Sequence, residues 1–365
     1  MTARTTFWTD KRVFLTGHTG FKGTWAAAWL LEMGALVRGF ALAPTDRGVP
    51  EGQQSFFDEM GLADRMDHVV GDVRDGSGLR AALEAFDPEV VLHMAAQPLV
   101  RLSYREPVQT YATNVMGTVN LLDACRALPS LRAVVVVTSD KCYENKEQIW
   151  GYREGDAMGG HDPYSNSKGC AELVTAAYRD SFFPADRIAD HGVVVASGRA
   201  GNVIGGGDWS EDRLVPDAMR AFLSGETLVI RKPAAVRPWQ HVLDPVSGYL
   251  RVVEKAAEAP EVCAQGWNFG PPDAMNLEVG DVVAGVARRL GSGFRWEARP
   301  SADDVHEATL LRLDCTAARL KLGWRPLFDA DAMLAMTTDW YRAETPDARR
   351  QTVQDQLAQA AAECA

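Results

Sequence analysis

The sequence lacks the usual marks of an exported, membrane-spanning or metal-binding protein. Its six cysteines are scattered, with no C-x-x-C pair and no histidine at ligand spacing, so we expect reduced thiols, a cytoplasmic location and no metal site. The first residues contain no apolar segment that resembles a signal peptide. No apolar run approaches the roughly 18 residues that span a bilayer, which predicts that the chain does not enter a membrane.

Positive charge is also scarce. The 38 lysines and arginines are outnumbered by 49 aspartates and glutamates, which gives a formal net charge of -11. Because nucleic acids and anionic membranes require a cationic surface, neither is predicted as a partner. An anionic substrate would need arginines that cluster locally. The hydrophobic content of 46% is typical of a globular protein, and 365 residues suffice for one large domain or two moderate ones.

The most informative stretch lies near the N-terminus. An apolar segment from Arg12 runs into three glycines with the spacing G-x-x-G-x-x-G, namely Gly17, Gly20 and Gly23, and a helical apolar pattern follows. A strand, a tight turn and a helix N-terminus in this order can hold a pyrophosphate, because glycine lets the backbone approach the ligand and the helix dipole favours an anion. We therefore predict a dinucleotide site here; the alternative is an ordinary strand-to-helix turn.

Strand-like and helix-like segments alternate after this turn. Apolar, largely β-branched runs predict strands over residues 35–42, 68–75, 89–97 and 131–138, with helical patterns between them. These runs are continuous, which is typical of strands that are covered on both faces. The predicted fold is an α/β, doubly wound parallel (Rossmann) sheet, in which ligands bind beyond the carboxyl ends of the strands.

Three features at those carboxyl ends bear on a cofactor. The second predicted strand reaches Leu42 without the acidic residue that binds ribose hydroxyls and excludes a 2′-phosphate, so the choice between NAD and NADP stays open. Asp72 could bind an adenine amine or could cap the next helix. Ala95 and Ala96 are small enough to let the backbone pass close to a cofactor.

A candidate catalytic set follows the strand predicted over residues 131–138. Ser139 ends that strand, and a helical pattern starts near Tyr164, with Lys168 four residues later on the same helix face. A lysine ammonium beside a phenol favours the phenolate, so Tyr164 could act as a base near neutral pH. A bare Y-x-x-x-K is usually an ordinary surface pair. In combination with the serine and the glycine turn, it predicts a Ser–Tyr–Lys catalytic set.

Through these motifs the sequence resembles the extended short-chain dehydrogenase/reductases that act on nucleotide sugars, the NAD-dependent epimerase/dehydratase family. The resemblance runs from Gly17 to Pro326 and includes the segments 95–101, 138–143, 150–154, 162–172, 199–209 and 237–242. The tripeptide Ser139-Asp140-Lys141 is the discriminating part. Related dTDP-glucose dehydratases carry Thr-Asp-Glu there, so the lysine indicates the branch that acts on CDP-sugars.

The resemblance implies a 4,6-dehydration of CDP-glucose that uses bound NAD. In this reaction Tyr164 would remove the proton of the C4 hydroxyl, Ser139 would hold that hydroxyl, and Lys168 would bind the nicotinamide ribose. Asp140 is implied as the acid for the departing C6 hydroxyl, and Lys141 as the base at C5. A base must be at least partly neutral; the alternative is a charged Lys141 that pairs with Asp140 or with the substrate.

The motifs and the resemblance together assign the binding residues. Those expected at NAD are Gly17, Thr19, Gly20, Phe21, Lys22, Gly23, Asp72, Val73, Ala95, Ala96, Gln97, Asn114, Tyr164 and Lys168. Those expected at the nucleotide sugar are Arg101, Ser103, Asn202, Arg213, Arg231, Arg237 and His306. The arginines of the second set would form the local cationic cluster that a pyrophosphate needs.

Two domains that interleave in sequence are expected. The NAD-binding domain takes residues 1–199, and 238–270 return to it because 266–270 has the character of a strand. Residues 200–237 and 271–342 form the smaller, C-terminal substrate domain. Residues 343–365 are predicted to be a helical tail.

The resemblance also implies a homodimer. Similar enzymes pair the helices predicted here over 108–128 and 164–181 across a two-fold axis, as a four-helix bundle. Two other functions stay open from the sequence: a dehydratase or epimerase of another nucleotide sugar, and a non-catalytic dinucleotide sensor. A sensor is disfavoured because it would need none of Ser139, Tyr164 and Lys168.

Overall fold

The computed structural model describes residues 3–45, 48–272, 275–299 and 310–364. Its strands are β1 (Arg12–Thr16), β2 (Leu36–Ala41), β3 (Asp67–Val70), β4 (Val90–His93), β5 (Ala133–Val137), β6 (Val194–Ala200), β7 (Val203–Ile204), β8 (Thr227–Ile230), β9 (Val236–Pro238), β10 (Gln240–His241), β11 (Gly266–Phe269), β12 (Asn276–Glu278) and β13 (Arg295–Ala298).

The first α-helix of the described residues precedes β1, and the other α-helices lie between and after the strands. They are α1 (Ala3–Trp8), α2 (Phe21–Glu32), α3 (Phe56–Glu59), α4 (Gly76–Phe86), α5 (Val100–Arg105), α6 (Pro107–Tyr111), α7 (Gly117–Cys125), α8 (Pro163–Phe182), α9 (Ile188–His191), α10 (Leu214–Ser224), α11 (Leu243–Ala256), α12 (Pro260–Cys263), α13 (Val279–Leu290), α14 (Ala330–Arg342) and α15 (Pro346–Glu363). A π-helical turn, Ala112–Met116, joins α6 to α7.

Seven strands form one parallel sheet in the order β11-β6-β5-β4-β1-β2-β3. Successive side chains of a strand point to opposite faces, and both faces of this sheet are covered. Phe14 packs into one apolar cluster, whereas its neighbours Val13 and Leu15 pack into the other. This two-sided burial explains the continuous apolar runs, and the predicted doubly wound parallel fold is confirmed.

The later part of the chain adds three small sheets, in which β7 pairs with β10, β9 with β12, and β8 with β13. One later strand joins the large sheet instead. β11 pairs in parallel with β6 at the sheet edge, with Trp267 opposite Gly198. The chain therefore passes out of the main sheet after β6 and contributes to it again at β11.

The C-terminal helix α15 packs onto the body of the protein. Val353, Leu357 and Ala360 are buried in the larger apolar cluster. Arg349 forms a buried ion pair with Glu59, a residue of α3 that lies 290 positions earlier. The segment after residue 343 is thus a docked helix through Glu363.

Two negative findings concern the part of the chain that the structure describes. None of its helices is long and apolar enough to cross a membrane. Within the same residues, no group of three or more histidine, cysteine, aspartate or glutamate side chains could hold a metal ion.

Candidate active site

A large cavity opens at the carboxyl edge of the sheet, with a volume of about 1440 Å³. Its lining includes the residues that directly follow six successive strands, Gly17, Leu42, Gly71, Met94, Thr138 and Gly201. Pockets for one small ligand usually have roughly 300–1,000 Å³, so this cavity has room for two ligands of nucleotide size. Its place is the one expected for an open α/β sheet.

The glycine turn between β1 and α2 forms one wall of this cavity. Gly17 has φ +75°, and a Cβ there would lie 2.7 Å from the backbone nitrogen of Ala95. A Cβ on Gly23 would lie 2.0 Å from the carbonyl oxygen of Gly17. No side chain caps the N-terminus of α2 at Gly20, which leaves its N–H groups for an anion. The turn therefore fits the pyrophosphate of a dinucleotide.

We expect Gly17→Ala to weaken NAD binding at least tenfold, because the new methyl group displaces Ala95 and the residue is strained at positive φ. A fluorescence titration with NAD measures the affinity, and a thermal melt measures the stability. Gly225→Ala is the matched control, since Gly225 has φ +71° and nothing within 4 Å of its Cβ position. Equal losses of NAD affinity in the two variants would contradict this account of the turn.

The residues that follow β2 in the cavity lining, Leu42, Ala43 and Thr45, carry no carboxylate. Leu42 is exposed, and its carbonyl accepts a hydrogen bond of 3.0 Å from the Thr19 hydroxyl. Asp72 lines the cavity and is paired with the Arg74 guanidinium, whose hydrogen bonds lower the pKa of that carboxyl. Asp75, not Asp72, caps α4, so the capping alternative for Asp72 is wrong.

The candidate catalytic side chains lie in the wall of this cavity. Ser139, Tyr164 and Lys168 are all buried in the cavity wall. The Lys168 ammonium donates a hydrogen bond of 3.2 Å to the carbonyl of Val137, the last residue of β5. Burial lowers the pKa of Lys168 to about 8, and the Glu172 carboxylate opposes that change.

The pKa of the Tyr164 phenol is higher than expected for a base that works near neutral pH. Burial raises the pKa of Tyr164 to about 12, and a hydrogen bond with Ser139 opposes the rise. The expectation rested on a lysine close to the phenol, but Lys168 is directed at a backbone carbonyl. Desolvation of the phenolate is therefore the larger effect in the protein itself.

Asp140 and Lys141 lie beside this group and line the same cavity. Asp140 is buried; one carboxylate oxygen accepts a 2.9 Å hydrogen bond from Ser139, and the other has no hydrogen-bond partner. Lys141 is half-buried, and its backbone N–H donates to the Ser139 hydroxyl. Among the described residues, no ion pair joins Lys141 to Asp140, so the geometry does not support pairing with Asp140; pairing of Lys141 with the substrate stays an alternative.

Lys22 comes from the glycine turn, yet its side chain reaches the catalytic group. Its ammonium lies 3.4 Å from the Tyr249 hydroxyl and 5.6 Å from the centre of that ring. Burial, and then the neighbouring Lys168 and Arg213 cations, lower the pKa of Lys22 to about 7. The turn thus supplies a charge near the reacting groups as well as a cradle for phosphates.

Most residues expected at the nucleotide sugar line the cavity, as do Thr19, Phe21, Val73, Ala95, Ala96 and Gln97 of the NAD set. The members of the sugar-nucleotide set that line it are Arg101, Asn202, Arg213, Arg231 and Arg237. Arg213 pairs with Asp208 at 2.9 Å, and the amide oxygen of Asn202 is buried without a partner. These four arginines and an unsatisfied amide in the cavity lining suit an anionic, hydroxyl-rich ligand.

Two expected binding residues lie behind the cavity wall. Asn114, in the π-helical turn, accepts from the backbone N–H of Gln97 at 2.8 Å and donates to the Ser167 hydroxyl at 2.9 Å. Ser103 accepts a 3.1 Å hydrogen bond from the backbone N–H of Tyr164. Both hold lining residues in place. His306 lies outside the described residues.

Comparison with known proteins adds an independent finding. The family model described as GDP-mannose 4,6 dehydratase matches residues 14–337. The CDP-glucose 4,6-dehydratase of Salmonella typhimurium is 50% identical over 338 residues, which cover 92% of this chain and 92% of that protein. The chain belongs to this 4,6-dehydratase family. The resemblance seen in the sequence motifs is confirmed.

Solved structures of other dehydratases share the fold. The dTDP-glucose 4,6-dehydratase of Bacillus anthracis, in complex with NAD, superimposes with a TM-score of 0.73 at 21% identity and covers 92% of this chain and 97% of its own. The dTDP-glucose 4,6-dehydratase of Streptomyces venezuelae, with NAD and TYD bound, has a TM-score of 0.73 at 24% identity and covers 91% and 97%.

Two buried carboxylates support this dehydratase site, and sequence reasoning missed the role of the second of them, Glu172. Asp208 holds Arg213, and its backbone carbonyl accepts a hydrogen bond of 2.5 Å from the Tyr341 hydroxyl. Glu172 lies four residues beyond Lys168 on α8 and is buried. The regular spacing of Tyr164, Lys168 and Glu172 was the available signal for the second carboxylate.

Proposed function

We propose that this chain converts CDP-D-glucose into CDP-4-dehydro-6-deoxy-D-glucose, with NAD as a bound and regenerated cofactor, for deoxysugar biosynthesis. The observation that carries the proposal is the cluster of Ser139, Asp140, Lys141 and Tyr164 in one cavity wall. The identity of 50% with a CDP-glucose 4,6-dehydratase supports the nucleotide and the sugar.

The residues of the cavity fit NAD. The Gly17–Gly23 turn would hold its pyrophosphate, Lys168 its nicotinamide ribose, and Ala95 and Ala96 would leave room for its path across the strand ends. Bound NAD would supply the hydride acceptor for oxidation at C4 of the sugar and the hydride donor for reduction at C6. The absence of an acidic residue after β2 leaves discrimination against a 2′-phosphate to other features of the cavity.

The first step needs a base at the C4 hydroxyl. Tyr164 takes that proton, and Ser139, which is hydrogen-bonded to Tyr164, holds the hydroxyl oxygen. The nearby guanidinium of Arg213 favours the phenolate that does this work. The bound sugar also replaces water around the phenol, so the proton moves directly between two fixed oxygens.

The second step is loss of water across C5 and C6. The new ketone at C4 acidifies the proton on C5, and Lys141 removes it. Asp140, with one carboxyl oxygen unpartnered in the cavity wall, donates a proton to the departing C6 hydroxyl. Because Asp140 and Lys141 are adjacent in sequence, their side chains can serve neighbouring carbons of one sugar. Return of a proton to C5 completes the 4-keto-6-deoxy product.

The test is a comparison of nucleotide sugars. The purified protein is incubated with CDP-, dTDP- and UDP-glucose and with GDP-mannose in the presence of NAD, and the alkaline absorbance of a 4-keto-6-deoxy product is recorded. We expect product from CDP-glucose at a far higher rate than from the others. A faster reaction of another nucleotide sugar would reassign the substrate, and no product from any of them would overturn the dehydratase proposal.

We also infer that two copies associate through a four-helix bundle. α6 packs beside α8, and this surface exposes the apolar side chains of Val108, Tyr111, Met116 and Leu173. Val108 is 82% exposed and Leu173 is 60% exposed in the single chain, which is unfavourable unless a partner covers them. The helices that carry Tyr164 and line the cofactor cavity would then also form the dimer contact.

A charge introduced at this surface should separate the two subunits. We expect Leu173→Glu to convert the dimer into a monomer at micromolar concentration, as measured by light scattering, because the carboxylate would be buried without a partner. Leu320→Glu is the control, since Leu320 is 76% exposed but lies in the 318–322 turn. A monomeric unsubstituted protein would overturn the inference.

The remaining proposals concern organisation and location. The NAD-binding domain takes residues 1–199 and 238–270, and the substrate domain takes 200–237 and 271–342; the pairing of β11 with β6 supports this division. All six cysteines are free thiols, which supports a cytoplasmic location.

A further inference from the structure

Helix α8 carries a third buried ionisable residue in line with two of the candidate catalytic groups. Tyr164, Lys168 and Glu172 follow at intervals of four residues, so they share one face of the helix. All three are buried. A buried carboxylate is costly unless it is paired and hydrogen-bonded, so the partners of Glu172 indicate what it is for.

The Glu172 carboxylate joins three parts of the site. One oxygen accepts a hydrogen bond from the hydroxyl of Thr138, the residue that lies between Val137 and Ser139 in the sequence. The other accepts hydrogen bonds of 2.7 Å from the Ser197 hydroxyl and of 2.7 Å from the Arg199 guanidinium, both on β6. Glu172 therefore fixes α8 to the ends of β5 and β6.

Arg199 extends this connection away from the cavity. Its other terminal nitrogen donates to the Tyr143 hydroxyl at 2.7 Å and to the carbonyl of Glu154 at 2.9 Å. The Tyr143 hydroxyl in turn donates to the Asn268 amide oxygen on β11 at 2.6 Å. Arg199 does not line the cavity, so the pair acts on the reaction through the groups that Glu172 touches and through Tyr143, which does line it.

The charge of Glu172 also acts on Lys168. Burial is the main cause of the lowered pKa of Lys168, about 8, and Glu172 is the largest opposing influence. The other titratable groups that act on Lys168 or are acted on by it come from different elements: Cys142 after β5, Lys22 on α2 and His93 on β4. Among these neighbours of Lys168, Glu172 is the one with a carboxylate, and Lys22 brings a positive charge of the same sign as that of Lys168.

We propose that Glu172 is a positioning residue that fixes α8 to the strand ends, places a negative charge one helix turn from Lys168, and holds Thr138 so that Ser139 faces Tyr164. This inference rests on the proposed function, in which Lys168 binds the nicotinamide ribose as an ammonium. Arg199 neutralises the carboxylate that the site requires, which explains a buried ion pair so close to a cofactor cavity.

The test is the pH dependence of NAD binding, measured by tryptophan fluorescence without any nucleotide sugar. In the unsubstituted protein the dissociation constant should rise as the pH passes about 8, where Lys168 loses its proton. In Glu172→Gln we expect this rise to begin at lower pH by about one unit, because the opposing carboxylate is gone. Lys168→Met should remove the part of the rise near pH 8, which assigns that part to its ammonium, and should leave any part near pH 7 that Lys22 contributes.

Two further variants separate charge from packing. Glu172→Gln leaves the Arg199 guanidinium buried without its carboxylate, which destabilises the fold, so the double variant Glu172→Gln/Arg199→Met removes the pair as a unit. It should fold by thermal melt and displace the pH profile in the same direction but by less, because the Arg199 cation is removed together with the carboxylate. Ser197→Ala removes a hydrogen bond to Glu172 but no charge, and should leave the profile in place.

The inference is overturned if the folded double variant keeps the pH profile of the unsubstituted protein, or if Ser197→Ala displaces it as far as Glu172→Gln does. These measurements use NAD alone. A wrong nucleotide sugar would therefore leave them unaffected and would show instead in the comparison of substrates, so failure of this inference and failure of the proposed function are distinguishable.

Discussion

Tyr164→Phe is expected to slow oxidation at C4 by about 10²- to 10⁴-fold, because the variant lacks the group that takes the hydroxyl proton. The ring stays in place, so packing around it is retained. The rate is measured from the appearance of reduced cofactor after rapid mixing with CDP-glucose. Burial raises the pKa of Tyr164 to about 12, so in the unsubstituted protein the phenolate, and with it the oxidation rate, should increase with pH until Lys168 loses its proton.

Tyr178→Phe provides the control for this experiment. Tyr178 lies on the same helix, α8, but it is not among the residues that line the cavity. Its loss of a hydroxyl should leave the oxidation rate within twofold of the unsubstituted value. A Tyr164→Phe variant that oxidises C4 at a near-native rate would remove Tyr164 from the role of base.

Lys141→Met is expected to separate the two halves of the reaction. Oxidation at C4 should continue, so reduced cofactor accumulates with substrate, while release of water falls by about 10²- to 10⁴-fold because no base removes the C5 proton. The two halves are followed as absorbance of the reduced cofactor and as exchange of the C5 hydrogen with deuterated solvent. Asp140→Asn should keep that exchange and slow only departure of the C6 hydroxyl.

Lys146→Met is the matched control for Lys141→Met. Lys146 is exposed and pairs with Glu144 at 3.1 Å, five residues from Lys141, and it should tolerate the change. If Lys141→Met still forms the 4-keto-6-deoxy product at the rate of Lys146→Met, another group is the base at C5. Lys22, whose ammonium also reaches the catalytic group, would then be tested in the same way.

The parts of the molecule that sequence reasoning reached are those governed by local pattern. Continuous apolar runs such as Ala133–Val137 predicted strands buried on both faces, and the glycine spacing predicted a turn in which a Cβ on Gly17 has no room. The Tyr164–Lys168 spacing predicted a shared helix face because the helical repeat fixes it. These inferences needed no knowledge of distant contacts.

The remainder depended on packing between distant segments. Asn114 was expected at the cofactor, but it lies in a π-helical turn that changes which side chains face the cavity, and it binds Gln97 and Ser167 instead. The reach of Lys22 towards Tyr249, 227 positions away, follows from how α2 packs against α11. No local spacing in the sequence encodes such a contact.

The docked C-terminal helix has a consequence for how the protein is made. A ribosome releases the N-terminal strands long before it synthesises β11, which covers the edge of the sheet, and α15, whose Arg349 meets the buried carboxylate of Glu59. The larger apolar cluster contains residues from Trp8 to Ala360. A nascent chain therefore cannot close this core until α15 has been synthesised, and its early strands lack those contacts until then.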